Sequence, residues 1–158
     1  MITARTGSAS STQALGEAMA ALLLPGDAVL LVGPLGSGKT TFVQGLARGI
    51  GYKGSVTSPT FTLCHTYTGR LDLVHVDLWR LDRLGEVLDL ALDEELERGA
   101  AVVAEWGEAA ETLLGEMSLV VRLEPSFPEG ERAIEIEARG PWIARKSAIT
   151  TALGAAKR

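Results

Sequence analysis

The sequence predicts an α/β fold of three layers, in which a mostly parallel sheet with antiparallel hairpin additions lies between helices. Short apolar segments rich in β-branched residues, such as DAVLLVG at 27–33 and AAVVAEW at 100–106, alternate with segments of helical apolar spacing. Two further pairs of strand-like segments are separated only by short turns, which predicts hairpins within this alternating order.

The first helix is expected to begin at Ser10, which forms a capping-box pattern with Gln13, and to end at Pro25-Gly26. The buried strand at 27–33 follows. Apolar residues then recur at helical spacing from Phe42 to Ile50, which predicts a second helix directly after a glycine-rich turn.

Two hairpins are predicted further along the chain. FTLCHTY at 61–67 and LDLVHVD at 71–77 flank a three-residue turn. SLVVRLEP at 118–125 and RAIEIEA at 132–138 are joined by a turn that contains SFPEG. The last strand alternates apolar and charged residues, so one of its faces is expected to contact water.

The remaining helices are predicted from the same spacing. The segment 78–98 is helical in pattern, with a break near Ala91-Leu92, and a short helix is expected within 107–116. Pro141, at a first helical position, opens a C-terminal helix.

The 158 residues are sufficient for one domain with a buried core, and we expect a frayed N-terminus at 1–9 and a frayed C-terminus at 154–158. The net charge of −5 argues against a protein that binds nucleic acid on its own. We expect a cytoplasmic protein without membrane contact, because no secretory segment or spanning apolar run is present. Cys64 is expected to be a small core residue.

A glycine-rich turn, GPLGSGKT at 33–40, matches the pattern G-x-x-x-x-G-K-[ST] between a strand and a helix. Its glycines allow backbone N–H groups to face a polyphosphate, next to the positive end of the helix dipole. Lys39 would place a positive charge near the β and γ phosphates, and the Thr40 hydroxyl would bind Mg²⁺. Pro34 lacks an N–H group and is expected to face away from the phosphates. The motif therefore predicts a P-loop nucleotide site.

Two carboxylates are candidates for the chemistry, because each ends a predicted buried strand. Asp77 closes one strand and Glu105 closes the other. Either could hold Mg²⁺ through water while the other orients or deprotonates the attacking nucleophile. The loop SPT at 58–60 follows the phosphate helix, where Thr60 offers a hydroxyl and an N–H group to a γ-phosphate.

The residues leave three classes of P-loop protein open: an ATPase, a kinase of a small metabolite, and a module that binds nucleotide without turnover. A GTPase is disfavoured, because the chain contains no Asn and no Thr-Lys-x-Asp element. Arg80, Arg83 and Arg98 are too scattered to predict the arginine-rich lid of a kinase.

Four short motifs occur in order around the glycine turn: T-x-x-L-G at 12–16, SPTF at 58–61, HVDLWRL at 75–81 and EW at 105–106. This series, within residues 10–107, resembles the TsaE (YjeE) family, the ATPases of bacterial tRNA threonylcarbamoyladenosine biosynthesis. The resemblance implies a P-loop α/β fold that binds ATP or ADP with Mg²⁺. It also implies that hydrolysis supports turnover of a TsaB–TsaD complex, which transfers the threonylcarbamoyl group to the adenosine beside the anticodon. Contact with tRNA would then be indirect, through that complex.

The resemblance also implies roles for single residues. Thr40 and Glu105 match the Mg²⁺ ligands, while Thr60 and Asp77 match the pair around the γ-phosphate and its attacking water. With Lys39, Thr60 and Asp77 form the expected catalytic set. The expected nucleotide-binding residues are Thr12 near the base or ribose, Gly33, Gly36, Ser37, Gly38, Lys39, Thr40, Thr41, Trp106 beside the nucleotide and Arg132.

The chain departs from the family pattern at four positions. Pro34, Ser37, Trp79 and Gly107 stand where Asp, Ala, Tyr and Pro respectively are common. Trp79 removes a hydroxyl, which puts any role for a phenol at that position in doubt.

Other polar residues favour ordinary structural roles. His65 and His75 lie on predicted neighbouring strands, where packing or hydrogen bonding is favoured over metal binding. The acidic segment 93–97 is interpreted as a solvated helix face.

Overall fold

The computed structural model describes residues 1–59, 64–78, 84–106 and 110–155. The strands of these ranges are β1 (Ile2–Thr6), β2 (Ala28–Val32), β3 (Cys64–Thr68), β4 (Asp72–Asp77), β5 (Ala101–Glu105), β6 (Ser118–Pro125) and β7 (Arg132–Ala138). The helices are α1 (Ala9–Ala20), α2 (Lys39–Gly49), α3 (Leu84–Leu88), α4 (Leu92–Glu97), α5 (Glu111–Leu114) and α6 (Lys146–Ala155), with 3₁₀ turns at Gly115–Met117 and Gly140–Arg145.

The strands form one sheet in the order β1-β7-β6-β2-β5-β4-β3. The pairings of β6 with β2, β2 with β5 and β5 with β4 are parallel. The outer pairings, β1 with β7, β7 with β6 and β4 with β3, are antiparallel. The predicted fold is therefore confirmed, with the parallel strands at the centre and the hairpins towards both edges.

Alternate residues of the central strands contribute to two separate cores, as expected for a sheet covered on both faces. One core joins the sheet to α1, α2 and α6, and its members include Leu31, Val103, Val121, Leu15, Phe42 and Ile149. The other joins the opposite face to α4 and α5, and its members include Leu30, Val102, Val120, Leu92 and Leu114. This arrangement gives the three predicted layers.

The N-terminus differs from the frayed segment that we expected at 1–9. Residues Ile2–Thr6 form β1, which pairs with β7 so that Ile2 lies opposite Ile136 and Ala4 is buried. An edge strand is ordered by its partner, so a short segment without a strong pattern of its own gains its structure from β7.

The start of α1 also differs from the prediction. Ser8 is the N-cap: its hydroxyl accepts a hydrogen bond from the Ser11 N–H at 3.1 Å, and the Ser11 hydroxyl accepts one from the Ser8 N–H at 2.9 Å. The capping box expected at Ser10 and Gln13 does not form, because the Gln13 amide donates to Gln44 at 2.7 Å instead.

The other elements follow the predicted pattern closely. Both hairpins form, and His65 lies opposite His75 in the first of them. The predicted break near Ala91-Leu92 is confirmed, because Ala91 adopts a left-handed conformation with φ of 51° between α3 and α4. Residues 79–83, within the segment predicted to be helical, lie outside the described residues.

Cys64 is exposed, so its expected place in the core is wrong. β3 is the outermost strand of its edge, and Tyr67 is its buried side chain. An edge strand covers little apolar area, and an apolar-looking segment there leaves most of its side chains near water.

The C-terminal segment begins as a 3₁₀ turn at Pro141 and continues as α6 to Ala155. Arg145 donates two hydrogen bonds, of 2.6 and 2.7 Å, to the two carboxylate oxygens of Asp27, and its guanidinium lies 3.8 Å above the ring of Trp142. These contacts hold the 3₁₀ turn before α6 against the loop before β2. Within the ranges that the structure describes, no helix combines the length and apolar character needed to cross a bilayer.

Candidate phosphate-binding site

The loop between β2 and α2 has a backbone that requires glycine. Gly33, Gly36 and Gly38 have φ values of 152°, 76° and 100°, a region that other residues rarely adopt. A Cβ atom on Gly33 would lie 2.2 Å from the carbonyl oxygen of Leu123, whereas nothing lies within 4 Å of one on Gly36. The loop is therefore packed against β6 on one side and open on the other.

Helix α2 begins at the end of this loop with its N-terminus directed at the open side. Gly38 is the N-cap, and no side chain of the described residues caps this end. The first N–H groups of a helix have no partners within the helix, and they carry the positive end of its dipole. The arrangement favours an anion at this position.

Lys39 lies within the loop rather than in solvent. Its Nζ donates to the carbonyl oxygens of Gly33 at 2.7 Å and Pro34 at 2.9 Å, and it lies 3.9 Å from the ring centre of Trp106. Trp106 has a φ of 61°, which is uncommon for a bulky side chain. The loop thus concentrates a positive charge beside its own N–H groups, under an aromatic ring.

Arg132 lies on β7 and contacts the same loop, although it is 95 positions from Ser37 in the chain. Its Nε donates to the Ser37 carbonyl oxygen at 2.8 Å, and its guanidinium donates to the Gly36 carbonyl oxygen at 3.1 Å. Because these carbonyl groups point towards Arg132, the guanidinium fixes the orientation of the peptide groups in the glycine turn. We expected this residue to bind nucleotide; the structure places it on the wall of the site and bonded to the loop.

The two predicted carboxylates meet at the carboxyl ends of adjacent parallel strands. Asp77 and Glu105 are register partners of β4 and β5, and they are 5% and 3% exposed. The Thr40 hydroxyl donates to Glu105 Oε1 at 2.8 Å, and the Ser58 hydroxyl donates to Asp77 Oδ2 at 2.8 Å. The first turn of α2 therefore contacts one carboxylate, and the loop after α2 contacts the other.

This donor set fits Mg²⁺ together with a phosphate. Mg²⁺ prefers oxygen ligands and is commonly held by one or two protein groups, with the remaining positions filled by phosphate and water. Thr40 and Glu105 supply such oxygens. Among the described residues, no three His, Cys, Asp or Glu side chains converge into a cage that would hold a metal alone.

His75 joins the same site, although we expected only packing or hydrogen bonding for it. The side chain is fully buried, its Nε2 lies 2.8 Å from Glu105 Oε1, and its Nδ1 lies 2.9 Å from the hydroxyl of Tyr67. Burial raises the pKa of Tyr67 to about 12, so this hydroxyl keeps its proton. The preference for hydrogen bonding is confirmed. One signal was available in the sequence: His75 and Asp77 are two apart on one strand and share a face.

A cavity of about 390 Å³ unites most of the candidates, a size typical of ligand sites. Its lining consists of Leu35, Gly36, Gly38, Lys39, Thr40, Thr41, Ser58, Asp77, Glu105, Trp106 and Arg132. Ser58 was not among the site residues that we expected, although the loop that contains it was singled out.

Other candidates lie behind the cavity or outside the described residues. Thr12 is buried, and its hydroxyl lies 2.7 Å from that of Thr6, while Gly33 and Ser37 support the loop from within. The expected nucleotide contact of Thr12 stays a prediction. Thr60, Trp79 and the other positions of 60–63, 79–83 and 107–109 lie outside the described residues.

Comparison with known proteins gives the same family resemblance as the sequence motifs, and it extends over most of the chain. A family model described as threonylcarbamoyl adenosine biosynthesis protein TsaE matches residues 6–134. A protein of Treponema pallidum, named tRNA threonylcarbamoyladenosine biosynthesis protein TsaE, is 40% identical over 129 residues, or 82% of this chain and 95% of that protein. A protein of the same name from Bacillus subtilis is 37% identical over 137 residues, or 86% of this chain and 85% of that protein.

A solved structure agrees with these matches. The crystal structure of YdiB from Bacillus subtilis superposes with a TM-score of 0.79 at 30% identity, covering 99% of this chain and 96% of that one. The similarity thus extends over the sheet, the glycine loop and both carboxylate-bearing strands. The chain belongs to the TsaE family.

Proposed function

We propose that this chain is a Mg²⁺-dependent subunit that binds and hydrolyses ATP and is required for threonylcarbamoyladenosine modification of tRNA. The observation that carries the proposal is the convergence of four features in one cavity. These are the start of α2, which no described side chain caps, the Lys39 ammonium, and the carboxylates of Asp77 and Glu105. The names of the relatives supply the pathway.

The positions of the residues support a role for each of them in this reaction. The N–H groups of the glycine loop and the Lys39 ammonium bind the β and γ phosphates, and Thr40 with Glu105 would hold Mg²⁺. The bound ion would supply positive charge to the phosphate oxygens on which negative charge develops. Asp77 lies beside this position with Ser58 bonded to its Oδ2, so its carboxylate orients an attacking water and accepts its proton.

The charge of the chain supports a role that leaves tRNA contact to other proteins. With a net charge of −5, it lacks the excess of basic residues that holds a nucleic acid backbone. We propose a TsaB–TsaD complex as the partner, with tRNA contacted through it. Hydrolysis by the isolated chain is then expected to be weak and to rise in the presence of the partners.

The test uses the purified chain with γ-labelled ATP, Mg²⁺, tRNA and a threonylcarbamoyl donor, alone and with increasing amounts of TsaB–TsaD. We expect labelled free phosphate whose rate rises with the partners, together with threonylcarbamoyladenosine in added tRNA. In a parallel reaction that offers small metabolites as acceptors, a labelled metabolite instead of free phosphate would identify a kinase. A rate that stays flat across the titration would identify a module that only binds nucleotide.

Substitution of Lys39 tests the site itself. Lys39→Ala should abolish tight ATP binding and modification, because its ammonium is the cation of the loop. The matched control is Lys53→Ala, since Lys53 is exposed and lies on a different cavity. Unchanged ATP affinity and unchanged modification in Lys39→Ala would show that the proposal is wrong.

A further inference from the structure

The two carboxylates of the site are each held by a second side chain. The Ser58 hydroxyl donates to Asp77, and Nε2 of His75 contacts Glu105 Oε1. Glu105 Oε1 also accepts the hydroxyl of Thr40. One carboxylate oxygen thus receives contacts from both sides of the site, and His75 provides the contact on the side away from the glycine loop.

The partners of His75 determine which ring nitrogen faces Glu105 as a donor. A carboxylate only accepts hydrogen bonds, so Nε2 carries a hydrogen and donates it to Glu105. On the other side of the ring, Nδ1 shares a hydrogen bond of 2.9 Å with the Tyr67 hydroxyl. Tyr67 therefore fixes the orientation of the ring that holds Glu105.

Tyr67 connects this pair to the loop that carries Ser58. Its ring lies 4.9 Å from the ring of Tyr52, and its hydroxyl lies 3.4 Å from the carbonyl oxygen of Thr57, the residue before Ser58. His75 and Tyr67 are fully or almost fully buried, at 0% and 3% exposure. A continuous set of contacts thus runs from Glu105 through His75 and Tyr67 to the backbone of Thr57. Thr57 directly precedes Ser58, which is hydrogen-bonded to Asp77.

We propose that His75 and Tyr67 are positioning residues for nucleotide-bound Mg²⁺: they hold the Glu105 carboxylate in place and couple it to the loop that carries Ser58. The inference rests on the proposed function, because it assigns Glu105 to Mg²⁺. Neither side chain lines the cavity, so neither is expected to touch the nucleotide. Groups that orient a metal ligand in this way commonly change metal affinity about 10- to 100-fold when they are removed.

The test measures binding and not turnover. ADP is titrated into the chain by calorimetry in EDTA and at a series of Mg²⁺ concentrations, which gives the Mg²⁺ midpoint of the affinity gain. His75→Phe should raise this midpoint at least about tenfold while leaving ADP affinity in EDTA within about twofold. His75→Gln, whose amide can donate to Glu105 from the position of Nε2, should restore much of the difference.

The matched control is His65→Phe, which replaces the histidine that lies opposite His75 on β3, outside the cavity lining. It should leave the midpoint unchanged. A merely structural role for His75 would lower the fraction of competent protein or the unfolding temperature and leave the Mg²⁺ midpoint of the competent fraction where it was. That result would overturn the inference.

Tyr67→Phe gives a second measurement should His75→Phe fail to fold, because it removes one hydroxyl and keeps the ring. It should shift the Mg²⁺ midpoint in the same direction. A midpoint equal to that of the wild-type chain would overturn the inference. The proposed function is tested separately with the wild-type chain. If that chain bound no ADP, or if Mg²⁺ did not raise its ADP affinity, the assignment of the cavity as a Mg²⁺-nucleotide site would be wrong whatever the variants showed.

Discussion

Thr40 and Glu105, 65 positions apart in the chain, meet through a hydrogen bond of 2.8 Å between hydroxyl and carboxylate. Thr40 stands in the first turn of α2, and Glu105 ends β5, which neighbours β2 in the sheet. The contact therefore depends on the parallel pairing of the strand that leads into the glycine loop with the strand that carries the acid. It brings together the two side chains that we propose as ligands of Mg²⁺.

Glu105→Gln and Asp77→Asn should separate metal binding from hydrolysis. Glu105→Gln removes the charge beside Thr40, so we expect Mg²⁺-dependent ADP binding to weaken about tenfold or more. Asp77→Asn keeps the shape of a side chain bonded to Ser58, so binding should be spared while hydrolysis falls about 10²- to 10⁴-fold. Calorimetry with ADP and phosphate release with partners measure the two effects. The opposite pattern in both variants would exchange the assigned roles.

Gly33→Ala should destabilise the fold as well as the loop. The added Cβ would lie 2.2 Å from the Leu123 carbonyl oxygen, at a φ of 152° that alanine rarely adopts. Strain and overpacking each cost roughly 1–3 kcal/mol, so we expect the free energy of unfolding to fall by at least about 2 kcal/mol. Denaturant unfolding measures this. Gly7→Ala is the control, because nothing lies within 4 Å of its Cβ. Equal stability of the two variants would contradict the geometry of the loop.

Arg145→Ala should destabilise the chain without affecting the site. The guanidinium is 16% exposed and bonded to both carboxylate oxygens of Asp27, whose side chain is 5% exposed. Removing one partner of a buried ion pair leaves an uncompensated charge, so we expect a loss of about 3 kcal/mol in the free energy of unfolding. Replacing both residues should cost less than the sum of the single changes. ADP affinity at a temperature where the variant is folded should be unchanged, because neither residue lines the cavity.

The features that the sequence predicted are those with local signals. Short apolar segments rich in β-branched residues located the central strands, and apolar residues at helical spacing located α2 directly after the glycine turn. Asp77 and Glu105 were found as polar residues that end buried strands, and their register pairing confirms that they are neighbours. Each of these signals lies within a few residues of the element that it predicts.

The features that the sequence did not predict depend on distant partners or on nearly equal local choices. β1 is defined by pairing with β7, at the other end of the chain. Ser8, and not the nearby Ser10 that we expected, caps α1 through its bonds with Ser11, and the Gln13 side chain bonds to Gln44, 31 positions away. The shared face of His75 and Asp77 is a local signal, but the contact of His75 with Glu105 also requires the β4–β5 register and a particular orientation of the buried ring.

Arg132→Lys should weaken nucleotide binding although it keeps the positive charge. The guanidinium donates to the carbonyl oxygens of both Ser37 and Gly36, and a single ammonium group cannot reproduce this planar pair of contacts. One hydrogen bond contributes about 1 kcal/mol, so we expect ADP affinity to fall about fivefold through a less well ordered glycine loop.

Arg5→Lys is the matched control for Arg132→Lys. Arg5 is an exposed residue of β1 whose guanidinium lies 3.8 Å from the Glu131 carboxylate, next to Arg132 in the chain. Its replacement should leave the ADP affinity unchanged, since an exposed ion pair of this length contributes little. If Arg132→Lys bound ADP as tightly as Arg5→Lys, the positive charge alone would account for the contribution of Arg132 to ADP affinity. The contacts of Arg132 with the carbonyl groups would then have no part in ordering the loop for phosphate.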